Sequence, residues 1–184
     1  MKKVLLIHGF EGGSAENWQP WLESELISAG FVVLNIDLPD SHHPDFDESM
    51  SYLRNVSADL GSDDIVIGHS LGGYFALKLC EEKEFGSVIL VAPAIGDLLP
   101  IKYYKKIWPM SDVEAVESVI AHGLDLSAVK AKKKVAFFGK ADPLIPVKSS
   151  EILGQDWDIR ILNKIGHLTS KKFEELRDAI LELA

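Results

Sequence analysis

A chain of 184 residues, 47% hydrophobic and 26% charged, can bury a core of ordinary size and reads as one domain, residues 1–184. Its formal net charge of −9 argues against sequence-independent nucleic-acid binding and disfavours docking on anionic membranes, since both need a basic surface. The lone cysteine, Cys80, excludes an intramolecular disulfide and any multi-cysteine metal site. No stretch approaches the roughly 20 apolar residues of a membrane span. The apolar start, Met1 to Ile7, stops at His8-Gly9, short of a signal peptide's core. The expectation is a soluble, unprocessed cytoplasmic protein.

Val4 to His8 reads as a buried parallel strand, followed by the glycine-rich loop Gly9-Phe10-Glu11-Gly12-Gly13-Ser14. Residues 15–29 read as a helix, with Trp18, Trp21, Leu22, Leu26 and Ile27 near one stripe and Gly30 as its stop. Phe31 to Leu38 is a second buried strand, and residues 39–44 have loop chemistry. Residues 45–60 place Phe46, Met50, Leu53, Val56 and Leu60 on the inner face of a helix.

Asp64 to Gly68 is the third strand, and the helix after it runs to about Lys83. Ser87 to Ala92 is the fourth strand. Asp97 to Pro109 is less regular, and Asp112 to Ala121 is a helix behind Ser111 as N-cap. Val135 to Gly139 is the fifth strand, approached by the solvated lysines Lys130 and Lys132 to Lys134. Pro146 to Leu153 is a short helix, Asp158 to Leu162 the sixth strand and Lys171 to Leu183 the closing helix. Strands alternating with helices imply right-handed crossovers and a parallel sheet covered on both faces, an α/β three-layer sandwich. Ligands of such sheets bind beyond the carboxyl ends of the strands.

One motif stands at such an end. Gly68-His69-Ser70-Leu71-Gly72 lies between a strand and a helix, the setting of a nucleophile elbow. The chain must turn sharply there, so the serine is strained and exposed, and glycines two residues to either side avoid collision. A serine hydroxyl needs a base, and the base needs an orienting acid. His167 follows the sixth strand and Asp142 the fifth, which puts Ser70, Asp142 and His167 in the chain order expected of an elbow enzyme. Asp142-Pro143 is also a common turn starter, and Asp97 and Asp37 are rival acids at strand ends. An oxyanion hole needs two N–H donors, and Leu71 and Phe10 stand in the expected loops.

Other residues read more plainly. His8 is placed to orient the oxyanion loop, and His122 sits at a helix end whose dipole favours positive charge. The pair His42-His43 reads as solvated loop, with no metal partner at a diagnostic spacing. No metal site is expected. Trp18 is core or pocket wall, and Tyr103, Tyr104 and Trp108 are further candidates for a substrate pocket.

His8-Gly9-Phe10, the elbow with Gly73, Asp142 and Gly166-His167 together resemble the α/β-hydrolase superfamily over essentially the whole chain. The short length and Asn17-Trp18-x-Pro20-Trp21-Leu22 are similar to the small serine hydrolases of the retinoblastoma-binding protein nine type and their bacterial relatives. The resemblance implies a minimal fold of about six mostly parallel strands in the order 2-1-3-4-5-6, without a large cap. It implies Ser70 as nucleophile, Asp142 as acid and His167 as base. The retinoblastoma-binding label goes with a Leu-x-Cys-x-Glu motif, but Lys78 stands at the leucine position before Cys80, so no such partner is inferred.

The expected activity is hydrolysis of a small or medium acyl ester, without cofactor. Thioesterase, peptidase or perhydrolase use of the same residues is the alternative within catalysis. A protein-interaction module on a hydrolase fold is the alternative outside it, carried by the aromatic segment Tyr103 to Trp108.

Overall fold

The computed structural model describes residues 1–183, the side chains of Lys164 and Ile165 excepted. Six strands, β1 (Lys3–Ile7), β2 (Val32–Ile36), β3 (Ile65–His69), β4 (Phe85–Val91), β5 (Ala131–Ala141) and β6 (Asp158–Ile165), form one sheet. Their order is β2-β1-β3-β4-β5-β6, and every neighbouring pair is parallel. Among the described residues there are six α-helices: α1 (Gln19–Ser28), α2 (Phe46–Val56), α3 (Leu71–Glu82), α4 (Ile101–Ile107), α5 (Met110–Ile120) and α6 (Glu174–Glu182). Helix α1 packs with α6, and α2 with α3. This is the α/β-hydrolase arrangement without a large cap. Among the described residues, no helix is long and apolar enough to cross a membrane.

The apolar runs explain the middle of the sheet. Val4 to Ile7, Ile65 to Ile67 and Val88 to Val91 are fully buried, as strands covered on both faces must be. The second strand departs from expectation. β2 pairs only with β1 and forms the sheet edge, with Val32 exposed. The lysines expected as an approach to the fifth strand belong largely to it, because Lys133 and Lys134 pair with Ser87 and Val88 of β4. Partnered backbone outweighs the weak strand preference of lysine.

Helix α1 starts at Gln19 rather than at 15, since Asn17 takes a left-handed φ of 53° and Pro20 suits a first turn. Ile27 then faces solvent rather than the core. Helix α5 is capped by Pro109, not Ser111, whose hydroxyl instead donates to Asp112 Oδ1 at 2.8 Å. The irregular stretch before it contains α4, so residues 95–123 form two short helices over the carboxyl end of the sheet.

Candidate active site

Ser70 joins β3 to α3 with φ 54° and ψ −119°, a conformation that costs on the order of 1–3 kcal/mol in a residue with a side chain. Backbone bonds hold it there. Its N–H donates to Val91 O, and its carbonyl accepts from Gly73 N and Ala94 N, all at 2.9 Å. A Cβ on Gly72 would overlap the carbonyl oxygens of Ile7 and His8, and one on Gly68 would overlap the backbone of Gly72. The turn therefore packs directly on the end of β1, where only glycine fits.

Asp142 follows the last residue of β5. Its Oδ1 accepts from Leu144 N at 2.8 Å and Ile145 N at 3.0 Å, which leaves Oδ2 for His167 Nδ1 at 2.8 Å. The carboxylate is 1% exposed, so this bond is shielded from water. An acidic partner requires the proton of His167 on Nδ1, leaving Nε2 to accept. Ser70 and His167 line one cavity of about 110 Å³, together with Gly9, Phe10, Trp108 and Leu144.

The loop carrying His167 is braced from below. Gly166 and Leu168 on either side have φ of 93° and 52°. Trp18 Nε1 donates to Leu168 O at 3.0 Å, and His69 Nε2 lies 2.9 Å from His167 O. A carbonyl acceptor requires the proton on that nitrogen. Burial and the neighbouring His167 push the His69 pKa down to about 3, so the ring stays neutral.

The loop after β1 is arranged by His8. Its Nε2 accepts from Leu38 N at 2.8 Å, and its Nδ1 donates to Gly9 O at 2.8 Å. This ring too is held neutral, its pKa lowered by burial. Glu11 N–H is used by Ser41 O and Gly12 N–H by Gly9 O. Among the described residues, the N–H groups of Phe10 and Leu71 have no hydrogen-bond partner. Both residues border a second cavity of about 20 Å³ beside Ser70, closed by Ala94, Tyr104, Val116 and Ile120.

Residues 4–179 match the serine hydrolase family model. The chain belongs to the serine hydrolase family. The ydeN gene product of Bacillus subtilis is 26% identical over 161 residues, 85% of this chain and 80% of the relative. Its solved structure superposes with a TM-score of 0.82 at 22% identity, covering 100% of this chain and 98% of that one. The rat serine hydrolase RBBP9 is 23% identical over 186 residues, 95% of this chain and 91% of its own. The structure of a monoacylglycerol lipase from Paleococcus ferrophilus shares the fold, with a TM-score of 0.72 at 21% identity over 98% of this chain and 92% of that one.

The hydrolase assembles some of the expected wall and not the rest. Phe10 and Trp108 meet edge to face at 5.0 Å, and Trp108 Nε1 donates to Glu11 Oε2 at 2.7 Å. Tyr104 is buried, its OH bonded to Leu144 O at 2.5 Å and its pKa raised by burial. Tyr103 is 41% exposed and lines neither cavity. Trp18 lies beneath the site, packed on His69 and Phe173, and lines neither cavity. Leu144, Val116 and Ile120 complete the wall. They come from segments whose local pattern signals only core packing.

The rival acids lie elsewhere. Asp37 is tied to Ser14, whose N–H at 2.6 Å and hydroxyl at 3.1 Å hold its carboxyl below the usual range. Asp97 borders a separate cavity of about 200 Å³ with Tyr74 and Leu124. A larger groove of about 590 Å³, walled by Lys2, Lys3, Asp63 and Lys133, lies at the opposite end of the sheet. His122 stacks on Phe46 at 3.8 Å. The exposed pair His42-His43 stands near carboxylates from other elements: His42 Nδ1 is 3.8 Å from Glu11 Oε1, and His43 Nε2 is 3.4 Å from Asp112 Oδ1.

Proposed function

We propose that this hydrolase cleaves small or medium acyl esters through a covalent acyl-enzyme, with Ser70 as nucleophile, His167 as base and Asp142 as orienting acid. The observation that carries the reading is the buried Asp142–His167 bond facing the same cavity as the strained Ser70. As Ser70 Oγ bonds to the acyl carbon, its proton passes to His167 Nε2. Negative charge gathers on the carbonyl oxygen, where the N–H groups of Phe10 and Leu71 receive it. The carbon–oxygen bond to the alcohol then breaks, and His167 returns the proton to the departing oxygen. Water repeats the sequence and frees the acid and Ser70. Asp142 keeps the imidazole proton on Nδ1 and offsets the positive charge when the ring is protonated.

Cavity size supports the acyl class. Volumes of about 110 and 20 Å³ fall well below the roughly 300–1,000 Å³ of sites for drug-sized ligands. Phe10, Tyr104 and Trp108 then serve as the wall for a short acyl chain. The test is a fluorophosphonate probe read by intact mass, followed by p-nitrophenyl esters from acetate to palmitate. One adduct on the wild type, none on Ser70→Ala, and a best substrate among the short esters are expected. Ser70→Ala should lower kcat/KM at least about a thousandfold. Near-normal turnover in that variant overturns the mechanism, and rates rising steadily to palmitate overturn the acyl class.

A further inference from the structure

Three side chains from three separate elements converge at Glu11, which itself lines the Ser70 cavity. Glu11 comes from the loop after β1, His42 from the loop after β2 and Asp112 from the first turn of α5. One donor atom from each lies within 4.8 Å of the other two. We propose that Glu11, His42 and Asp112 bind one divalent transition-metal ion of the zinc class.

The donor set carries the choice of ion. An imidazole with two carboxylates suits zinc and its neighbours, whereas magnesium and calcium favour oxygen alone. Ligand atoms about 2.0–2.2 Å from a tetrahedral zinc lie roughly 3.3–3.6 Å apart. The His42 Nδ1 to Glu11 Oε1 separation of 3.8 Å is close to that spacing. Closing the rest takes about 1 Å of side-chain movement, and the exposed His42 is the member placed to make it.

Asp112 is the fixed member. It is buried, and the neutral hydroxyl of Ser111 is one of its partners. A buried carboxylate needs compensating charge. The first turn of α5 supplies part of it. A cation between Asp112 and Glu11 would supply the rest, with His43 within reach as a fourth donor. Glu11 is already oriented by the Trp108 indole N–H on Oε2, which leaves Oε1 turned toward His42. Metal-ligating carboxylates are commonly held in this way by a hydrogen bond to the oxygen that does not bind the ion.

The consequence is mechanical. A bound ion would tie α5 to the loop that carries Phe10 and so restrict the opening above Ser70. The site does not depend on the ester reading, because binding is measured without turnover. The experiment is calorimetric titration of the purified chain with zinc chloride, beside His42→Ala, Glu11→Gln and a His122→Ala control. One equivalent bound by the wild type and by His122→Ala, weakened at least tenfold in His42→Ala and in Glu11→Gln, is the expected result. Ser70→Ala should bind zinc as the wild type does. No stoichiometric binding by the wild type, or equal binding by His42→Ala, overturns the proposal. Loss of binding in His122→Ala also overturns it, since the ion would then sit elsewhere.

Discussion

The ring of His69 donates from Nε2 to the backbone oxygen of His167 at 2.9 Å, so the residue before Ser70 steadies the loop that carries the imidazole beside it. Both His69 and His8 are held neutral inside the fold, the first with a pKa near 3 and the second lowered by burial. In the unfolded chain each takes up a proton near pH 6.5. The native state therefore binds fewer protons below that pH, and stability falls on acidification. The full contribution is present above pH 6.5 and is lost as pH drops toward the folded values. The expected slope below pH 6.5 approaches about 1.4 kcal/mol per pH unit from His69, and His8 adds a contribution of the same sign. Urea unfolding between pH 7 and pH 5 measures it, and His69→Gln should remove about one proton from the slope. A stability that is flat over this range contradicts the neutral assignment of both rings.

Ser70 has its φ of 54° in the left-handed region, where a side chain is strained. Removing that side chain relieves the elbow. Ser70→Gly should abolish turnover and yet raise unfolding free energy by about 1 kcal/mol over Ser70→Ala, after the extra freedom of glycine in the unfolded chain is offset. Thermal unfolding of the two inactive variants side by side decides the point. Equal stabilities would mean that the surrounding hydrogen bonds leave no strain to release.

Asp142 divides its two oxygens, one for backbone N–H groups and one for His167. Asp142→Asn preserves the first set and, by turning an amide N–H toward Nδ1, favours the wrong tautomer. A fall in kcat on the order of 10⁴-fold with little change in KM is expected, the size seen when a serine protease loses the equivalent carboxylate. Asp97→Asn and Asp37→Asn should retain most of the activity, because neither side chain reaches His167. Steady-state kinetics on a short ester compares the three, and a severe loss in Asp97→Asn with a mild one in Asp142→Asn would transfer the acid role.

The strands themselves and the meeting of Asp142 with His167 were legible because each rests on a short local pattern, an apolar run, a glycine-bounded serine, an acid or histidine just past a strand, whereas the strand order came only with the family resemblance. What could not be read depends on contacts between distant segments. β2 looks as apolar as β1, and only pairing reveals it as the edge. Trp18 and Tyr103 are aromatic like Tyr104 and Trp108, but which of them face the cavity depends on how residues 95–123 fold over the sheet. The nearness of His42 to Glu11 and Asp112 has no signature in spacing, since 31 residues separate the first pair and 70 the second. Strain at Glu11, Asn17 and Leu168 is equally silent, because none of these is a glycine.

Trp18 gives the sharpest separation between a wall residue and a supporting one. Its indole N–H donates to Leu168 O, the residue after His167, and the ring packs on His69. Phenylalanine at this position keeps an aromatic body and removes the donor, leaving a buried carbonyl unsatisfied at a cost of about 1–3 kcal/mol. The loop that positions His167 then loses one of its two braces while the cavity lining is untouched. Trp18→Phe should therefore lower kcat several-fold and leave KM nearly unchanged. A wall residue would do the reverse, raising KM and shifting acyl-chain preference with kcat intact. Measuring both constants on acetate and hexanoate esters separates the two roles, and a shift in chain preference would return Trp18 to the pocket wall.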